Sequence, residues 1–411
     1  MKWLIYKIHS KIISYVVFLF TLAIVLLNLM SVVFPAFIIT TVNPYQNNLN
    51  SFELGPLAIP LITVNVILFG IGFAYYKKKL PSNIYKPIQT FLNFEISKKT
   101  TLIASIIILA IYIGLSVPEL SINEADQWPD YQILQHGLEI WPSGESDDIY
   151  VREQNDRYIR MILLSTSQEI FQNIKILPFV ASIALVIVTY FLTVEISHKR
   201  FAGIVSMVIL LQSHTFLEFD TIAVYENFWV LFYVLSLYFI YKRWYFSSIS
   251  YILSVFTKAF VTPFLFMTIF FIYETNISKK RKILTLISYG LAVAVIGGIF
   301  VIDEHIYGNL LRIDYAEFVT GFSAWYNQMR SDVFLILAIL PLTVGLFFTS
   351  KKGIYDANSI LVLMGGILLL GPILALLTDF YFILPYRYIP LVVFFAVGVG
   401  VFLTKRSANL S

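Results

Sequence analysis

The sequence predicts an all-α, polytopic integral membrane protein with about twelve membrane segments and amphipathic surface helices in a large external loop. Three observations carry that prediction. Mean hydropathy is +0.78, with 58% hydrophobic and only 13% charged residues, too few charges to clothe a water-soluble surface. The apolar runs are long and continuous, without the alternating ten-residue pattern of outer-membrane barrels. The charges that exist also segregate by side once the runs are threaded through a bilayer.

At the N-terminus, MKWLIYKIHSKIISYVVFLF opens like a secretory signal. Its apolar run nevertheless continues to about residue 40 without a small-residue cleavage site, so a retained first span is expected over 13–39. Further apolar segments lie near 56–76, 101–117, 175–196, 201–217, 222–241, 283–302, 331–349, 359–378 and 383–403. Residues 244–276 are interrupted by Lys258 and Pro263, and each apolar piece is shorter than the roughly 20 residues a span needs. Two short or tilted helices meeting near Lys258 are expected there.

With a cytoplasmic N-terminus and alternating crossings, 21 of the 29 basic residues fall inside, as the positive-inside rule requires. Only Glu95, Glu195, Glu274 and Asp356 among the 25 acids share that side. The expected organisation is a two-span extension over 1–99 with a basic cytoplasmic loop, then a transmembrane core over 100–411. The large external loop spans 118–174, and no separate soluble domain is expected at either end. Both termini are placed in the cytoplasm. Zero cysteines exclude disulfides and thiol chemistry.

Within the large loop, 124–140 and 152–173 mix apolar and polar residues at helical spacing. Ile159, Ile162 and Leu163 oppose Arg152, Asp156 and Arg160, and WPSG at 141–144 supplies a turn. Two helices lying on the outer membrane surface are expected, with Trp128 and Trp141 in the interfacial zone.

SINEADQWPD at 121–130 concentrates acids at the end of a span: Glu124, Asp126 and Asp130 follow Glu119. Further charges just beyond the bilayer core are Glu218, Asp220, Glu226, Lys258, Asp379 and Arg387. Taken singly, each is ordinary interfacial polarity: a lysine snorkels, an arginine anchors a helix to headgroups, an acid marks a span boundary. Together, carboxylates beside cations at a lipid–water boundary suit deprotonation of an acceptor hydroxyl while a lipid-linked phosphate departs.

The chain resembles GT-C-type membrane glycosyltransferases, in particular the protein O-mannosyltransferase and aminoarabinose-transferase branch. Five stretches carry the resemblance: NEADQWPDYQILQHG, EIFQNIKILPFVASIALVIVTYFLTVEISHKRFAGIVSMVILL, FDTIAVYENFWVLFYVLSLYF, ILSVFTKAFVTPF and PYRYIP. It implies a hexosyltransferase, with a sugar such as mannose moving from a polyprenyl or dolichyl phosphate donor. The acceptor would be an external protein, lipid or glycan, and the anomeric centre would invert. By position, Glu124 matches the second acid of the family's Asp-Glu motif, and Asn123 stands where the Asp usually is. The resemblance leaves the general base as Glu124 or Asp126. It places Glu226 as the second-loop acid, and Lys258 and Arg387 at the donor phosphate.

No cofactor is expected. Asp147 with Asp148, or His305 beside Asp303 and Glu304, could ligate a divalent ion, yet no HExxH-like spacing exists. No phosphate-cradling glycine loop or nucleic-acid-binding pattern is present. A transporter or lipid flippase is the alternative, disfavoured by charges at span ends and the absence of repeats. An O-antigen-ligase-like enzyme would carry its rich loop late in the chain. A non-catalytic relative is a further reading, raised by Asn123 at the usual Asp position.

Overall fold

A computed structural model describes residues 2–37, 50–142, 146, 148, 150–151, 157–302, 313, 315–377 and 384–404. Among them are sixteen α-helices of eleven residues or more. These are α1 (Lys2–Val33), α2 (Ala58–Tyr76), α3 (Ser82–Asn93), α4 (Lys98–Ser116), α5 (Asp130–Ile140), α6 (Tyr158–Phe171), α7 (Ile176–Ser197) and α8 (Arg200–Leu211). The chain continues with α9 (Phe228–Lys242), α10 (Trp244–Thr257), α11 (Phe264–Glu274), α12 (Lys279–Ile302), α13 (Tyr315–Met329), α14 (Val333–Lys351), α15 (Asp356–Leu377) and α16 (Ile389–Phe402). No strand occurs among the described residues.

Eight helices are long and apolar enough to cross a membrane: α1, α2, α4, α7, α12, α14, α15 and α16 with its preceding turn. The chain is therefore a multi-pass membrane protein by length and composition. The other four apolar segments are helical but short. At about 1.5 Å per residue, α8, α9, α10 and α11, with 12, 15, 14 and 11 residues, reach only about 16–23 Å. A hydrocarbon layer is about 30 Å thick. Lys258 interrupts α10 and α11 as its sequence position predicts, at an extended residue between Thr257 and a 3₁₀ turn over Ala259–Val261.

The centre of the bundle is α16, packed against α7, α8, α14 and α15, with most of its residues buried. α1 packs on α13, α14 and α15, and α2 on α14, so these two N-terminal helices join the C-terminal part of the bundle. Polar side chains fasten the crossings: Thr21 Oγ1 donates to Leu361 O (3.2 Å), and Asn65 Nδ2 to Leu337 O (3.1 Å). Such interhelical bonds serve where no water competes. Gly321 lets α13 approach α15 closely, because a Cβ there would stand 2.5 Å from Pro372 Cα.

The two ends of the bundle differ. At one, Lys199 Nζ donates to Leu92 O and Leu403 O, Arg200 N to Glu95 Oε1, and Tyr241 to Asp356. Lys242 pairs with Glu195, and Asn358 Nδ2 donates to Glu274. Glu95, Glu195, Glu274 and Asp356 are each engaged by these contacts, the last three at helix ends. At the other end lie the 118–130 and 213–227 segments, Lys258 and the 385–388 turn.

Candidate functional site

The segment 219–227 sits between a one-turn helix, His214–Glu218, and α9. The sequence places its second part in the apolar segment near 222–241. Every residue in it is buried, and its backbone is not helical. Buried irregular backbone must find partners, and here side chains supply them. Glu124, 1% exposed, accepts from Ala223 N (2.7 Å) and Val224 N (3.1 Å). Arg160 Nη2 donates to Val224 O (2.7 Å) and Ala223 O (3.3 Å). Asn227 Nδ2 donates to Phe219 O, and Ser182 Oγ to Asp220 O. One carboxylate and one guanidinium therefore clamp the backbone of the same two residues, one through their N–H groups and the other through their carbonyls.

Local sequence sets both clamps in place. Asn123 caps the 3₁₀ turn Glu124–Asp126 by accepting from Ala125 N, which leaves Glu124 inward and Asp126 exposed. Arg160 lies on α6, whose buried face is Arg160, Met161, Leu164 and Ser167. This reverses the face expected from the sequence: Ile162 points outward and Arg160 inward. The expected helix over 152–173 is seen from Tyr158, and 152–156 lie outside the described residues. The reason for the reversal is the ion pair from Arg160 Nε to Glu226 Oε2 at 2.9 Å, both partners almost fully buried. A buried guanidinium needs such a partner.

Next to this clamp, cations gather around aromatic rings. Lys258, 7% exposed, holds its Nζ 3.9 Å from the Tyr386 ring centre and 5.7 Å from that of Trp229. The Arg387 guanidinium lies 5.6 Å from the Phe260 ring, a cation–π distance. Tyr386 stacks on Tyr225 (4.6 Å, 18° between planes), and Tyr225 donates through its hydroxyl to Asp130 Oδ2 at 2.8 Å. Arg157, the residue entering α6, belongs to the same charge cluster, coupled to Arg160, Glu226 and Arg387. Burial pushes Lys258 down to about 8, and Arg387 and Arg157 push the same way against Tyr386 and Glu226. Burial and the neighbouring Arg160 lower Arg157 as well.

Of the five residues singled out from sequence, Lys258, Arg387 and Glu226 therefore come together, and Glu124 lies one clamp away. Glu226 is engaged by Arg160. Asp126 stands on the surface of the acidic turn. Asp379, Asp147, Asp303, Glu304 and His305 lie outside the described residues, and among those described no three His, Asp or Glu residues group as a metal site. Sequence reasoning missed Arg157 as a member of the charge cluster. Three basic residues, Arg152, Arg157 and Arg160, in a loop otherwise rich in acids were the available signal. A cavity of about 210 Å³ opens nearby between Gln212, Ser213, Asp332, Val392 and Phe395, and does not include the cations.

A second buried cluster braces α4 against this segment. Ser116 Oγ donates to Asp220 Oδ2 (2.8 Å), and Lys175 Nζ to Glu119 O and Ile122 O. Burial pushes Asp220 up to about 7, against the Ser116 hydrogen bond. A carboxyl raised in the folded state binds a proton that the unfolded chain has released, so stability falls as pH rises from about 4 to 7. Asp220→Asn is expected to flatten that slope and to melt above wild type at pH 8, read by scanning fluorimetry in detergent.

No family model, curated protein or solved structure matches the chain.

Proposed function

We propose that the protein is a membrane glycosyltransferase of the GT-C type, moving a hexose from a polyprenyl phosphate to an acceptor hydroxyl at the clamp end of the bundle. The observation that carries the proposal is the convergence of Lys258, Arg387 and Arg157 beside an acidic turn, where short helices meet. In this reading the twelve apolar helices all belong to the membrane domain, and the clamp end faces the exterior, as the charge segregation favours.

The cations hold the donor phosphate. Asp126 takes the acceptor proton, because its carboxylate is exposed while both Glu124 oxygens are committed to backbone N–H groups. The acceptor oxygen attacks the anomeric carbon, the bond from that carbon to the phosphate oxygen breaks, and inversion results. The leaving polyprenyl phosphate carries off the electron pair, with its charge balanced by Lys258 and Arg387. Glu124 acts as a brace.

The test is transfer of radiolabelled mannose or glucose from a polyprenyl phosphate in membranes, comparing wild type with Asp126→Asn, Glu124→Gln and Lys258→Ala at matched expression. Activity lost in Asp126→Asn and retained in part in Glu124→Gln supports these roles. A wild type that transfers nothing from any lipid-phosphate sugar sinks the enzyme reading. One observation favours a second reading, an anion or lipid transporter: Lys258 lies at the break between two short helices, as coupling sites often do. Uptake of a labelled lipid phosphate into vesicles without sugar transfer would select it.

A further inference from the structure

The bundle end opposite the clamp carries a feature that the proposed chemistry does not use. α3 joins α2 to α4, and no side chain along it is buried. It is nonetheless held firmly. Tyr85 stacks on Tyr75 at the end of α2 (5.2 Å, 22°), Phe91 and Phe94 pack edge-on against Phe201 at the start of α8, and Lys199 Nζ donates to Leu92 O. Between α3 and α8 runs an open groove lined by Lys86, Pro87, Thr90, Phe91, Phe94 and Phe201, about 660 Å³ in volume. Its floor is aromatic and one wall is a lysine.

The surroundings are strongly basic. Lys77, Lys78, Lys79, Lys86, Lys98, Lys99 and Arg200 flank α3, against the single acid Glu95, whose carboxylate already accepts from Arg200 N. Because α2 and α4 are both apolar helices of spanning length, the twelve-residue α3 between them is tied to the membrane boundary by short links at each end. An amphipathic helix at that level lays its apolar face among acyl chains while its lysines reach headgroups.

We propose that the α3–α8 groove is a binding site for an anionic phospholipid, with the headgroup phosphate at Lys86 and an acyl chain along Phe91, Phe94 and Phe201. Charge complementarity names the headgroup, and the aromatic floor selects a lipid over a soluble phosphate ester, which would leave that floor wet. The site is independent of sugar transfer and stands or falls separately from it.

Native mass spectrometry of the full chain, released from detergent after equilibration with phosphatidylglycerol and phosphatidylcholine at equal concentration, tests the site. Phosphatidylglycerol is expected to be retained at least fivefold over phosphatidylcholine. Lys86→Gln is expected to bring the ratio close to one, and Lys86→Arg to restore it. Phe91→Ser is expected to reduce retention of both lipids, and millimolar inorganic phosphate to leave the wild-type ratio unchanged. Equal retention of the two lipids by wild type overturns the proposal, and so does a preference that Lys86→Gln leaves intact. Displacement by inorganic phosphate would show a plain anion site and overturn the lipid assignment. Melting temperatures matched to wild type identify the variants whose ratios count.

Discussion

Arg160→Met is expected to be the most damaging single substitution, lowering stability by about 3–5 kcal/mol, the usual cost of breaking a buried ion pair from one side. It strips Glu226 of its hydrogen-bonded cation inside the protein and releases Val224 O and Ala223 O, carbonyls of two buried residues. The loss is amplified because 219–227 has no helical ladder of its own. Thermal melting and monodispersity in detergent read the effect. Arg160→Met combined with Glu226→Leu is expected to recover part of the loss, since neither member of the pair then stands without the other. A single variant that melts with wild type would show that the clamp does not hold the segment.

Lys258→Met is expected to reduce sugar transfer by about 10²–10³-fold, the range seen when one charge-stabilising donor is removed from a reaction centre. Its pH signature separates this role from mere packing. With Lys258 held near 8, its charge disappears as pH rises through 8, so wild-type transfer is expected to decline above that point. Lys258→Arg keeps the charge at every accessible pH and is expected to carry the alkaline limb upward. Stability moves in the opposite sense. Between about 8 and 10 the unfolded chain still holds the proton that the folded chain has shed, so the fold gains stability as activity falls. Parallel decline of both quantities would rule out Lys258 as the titrating group.

Most of the helices were legible in the sequence because long apolar runs have few alternatives in a bilayer. The break at Lys258 was legible for the same reason, as a charge and a proline between pieces too short to span. The depth of 219–227 was not. FDTIAVYEN sets a four-residue apolar run between two polar pairs, and nothing local announces that Glu124 and Arg160, far away in sequence, satisfy its backbone. The facing of α6 was hidden by the same fact, since an arginine on a helix is read as polar-side-out unless its buried partner is known. Lys258, Arg387 and Glu226 were each found as charges near span ends. Only folding shows that Glu226 pairs with Arg160 while Lys258 and Arg387 lie against aromatic rings.

The central position of α16 has a consequence for how the protein is made. Its neighbours α7 and α8 leave the ribosome long before it does, and α14 and α15 precede it directly. Until α16 is synthesised, the groove they form must hold lipid, or the helices must stay apart. The late helix then enters the middle of a half-built bundle and displaces what was there. Tyr386 and Arg387 ride in on its leading turn, so the cation cluster is complete only once that turn has been made. Chains arrested before α16 therefore carry Lys258 beside Trp229 alone, without Tyr386 and Arg387.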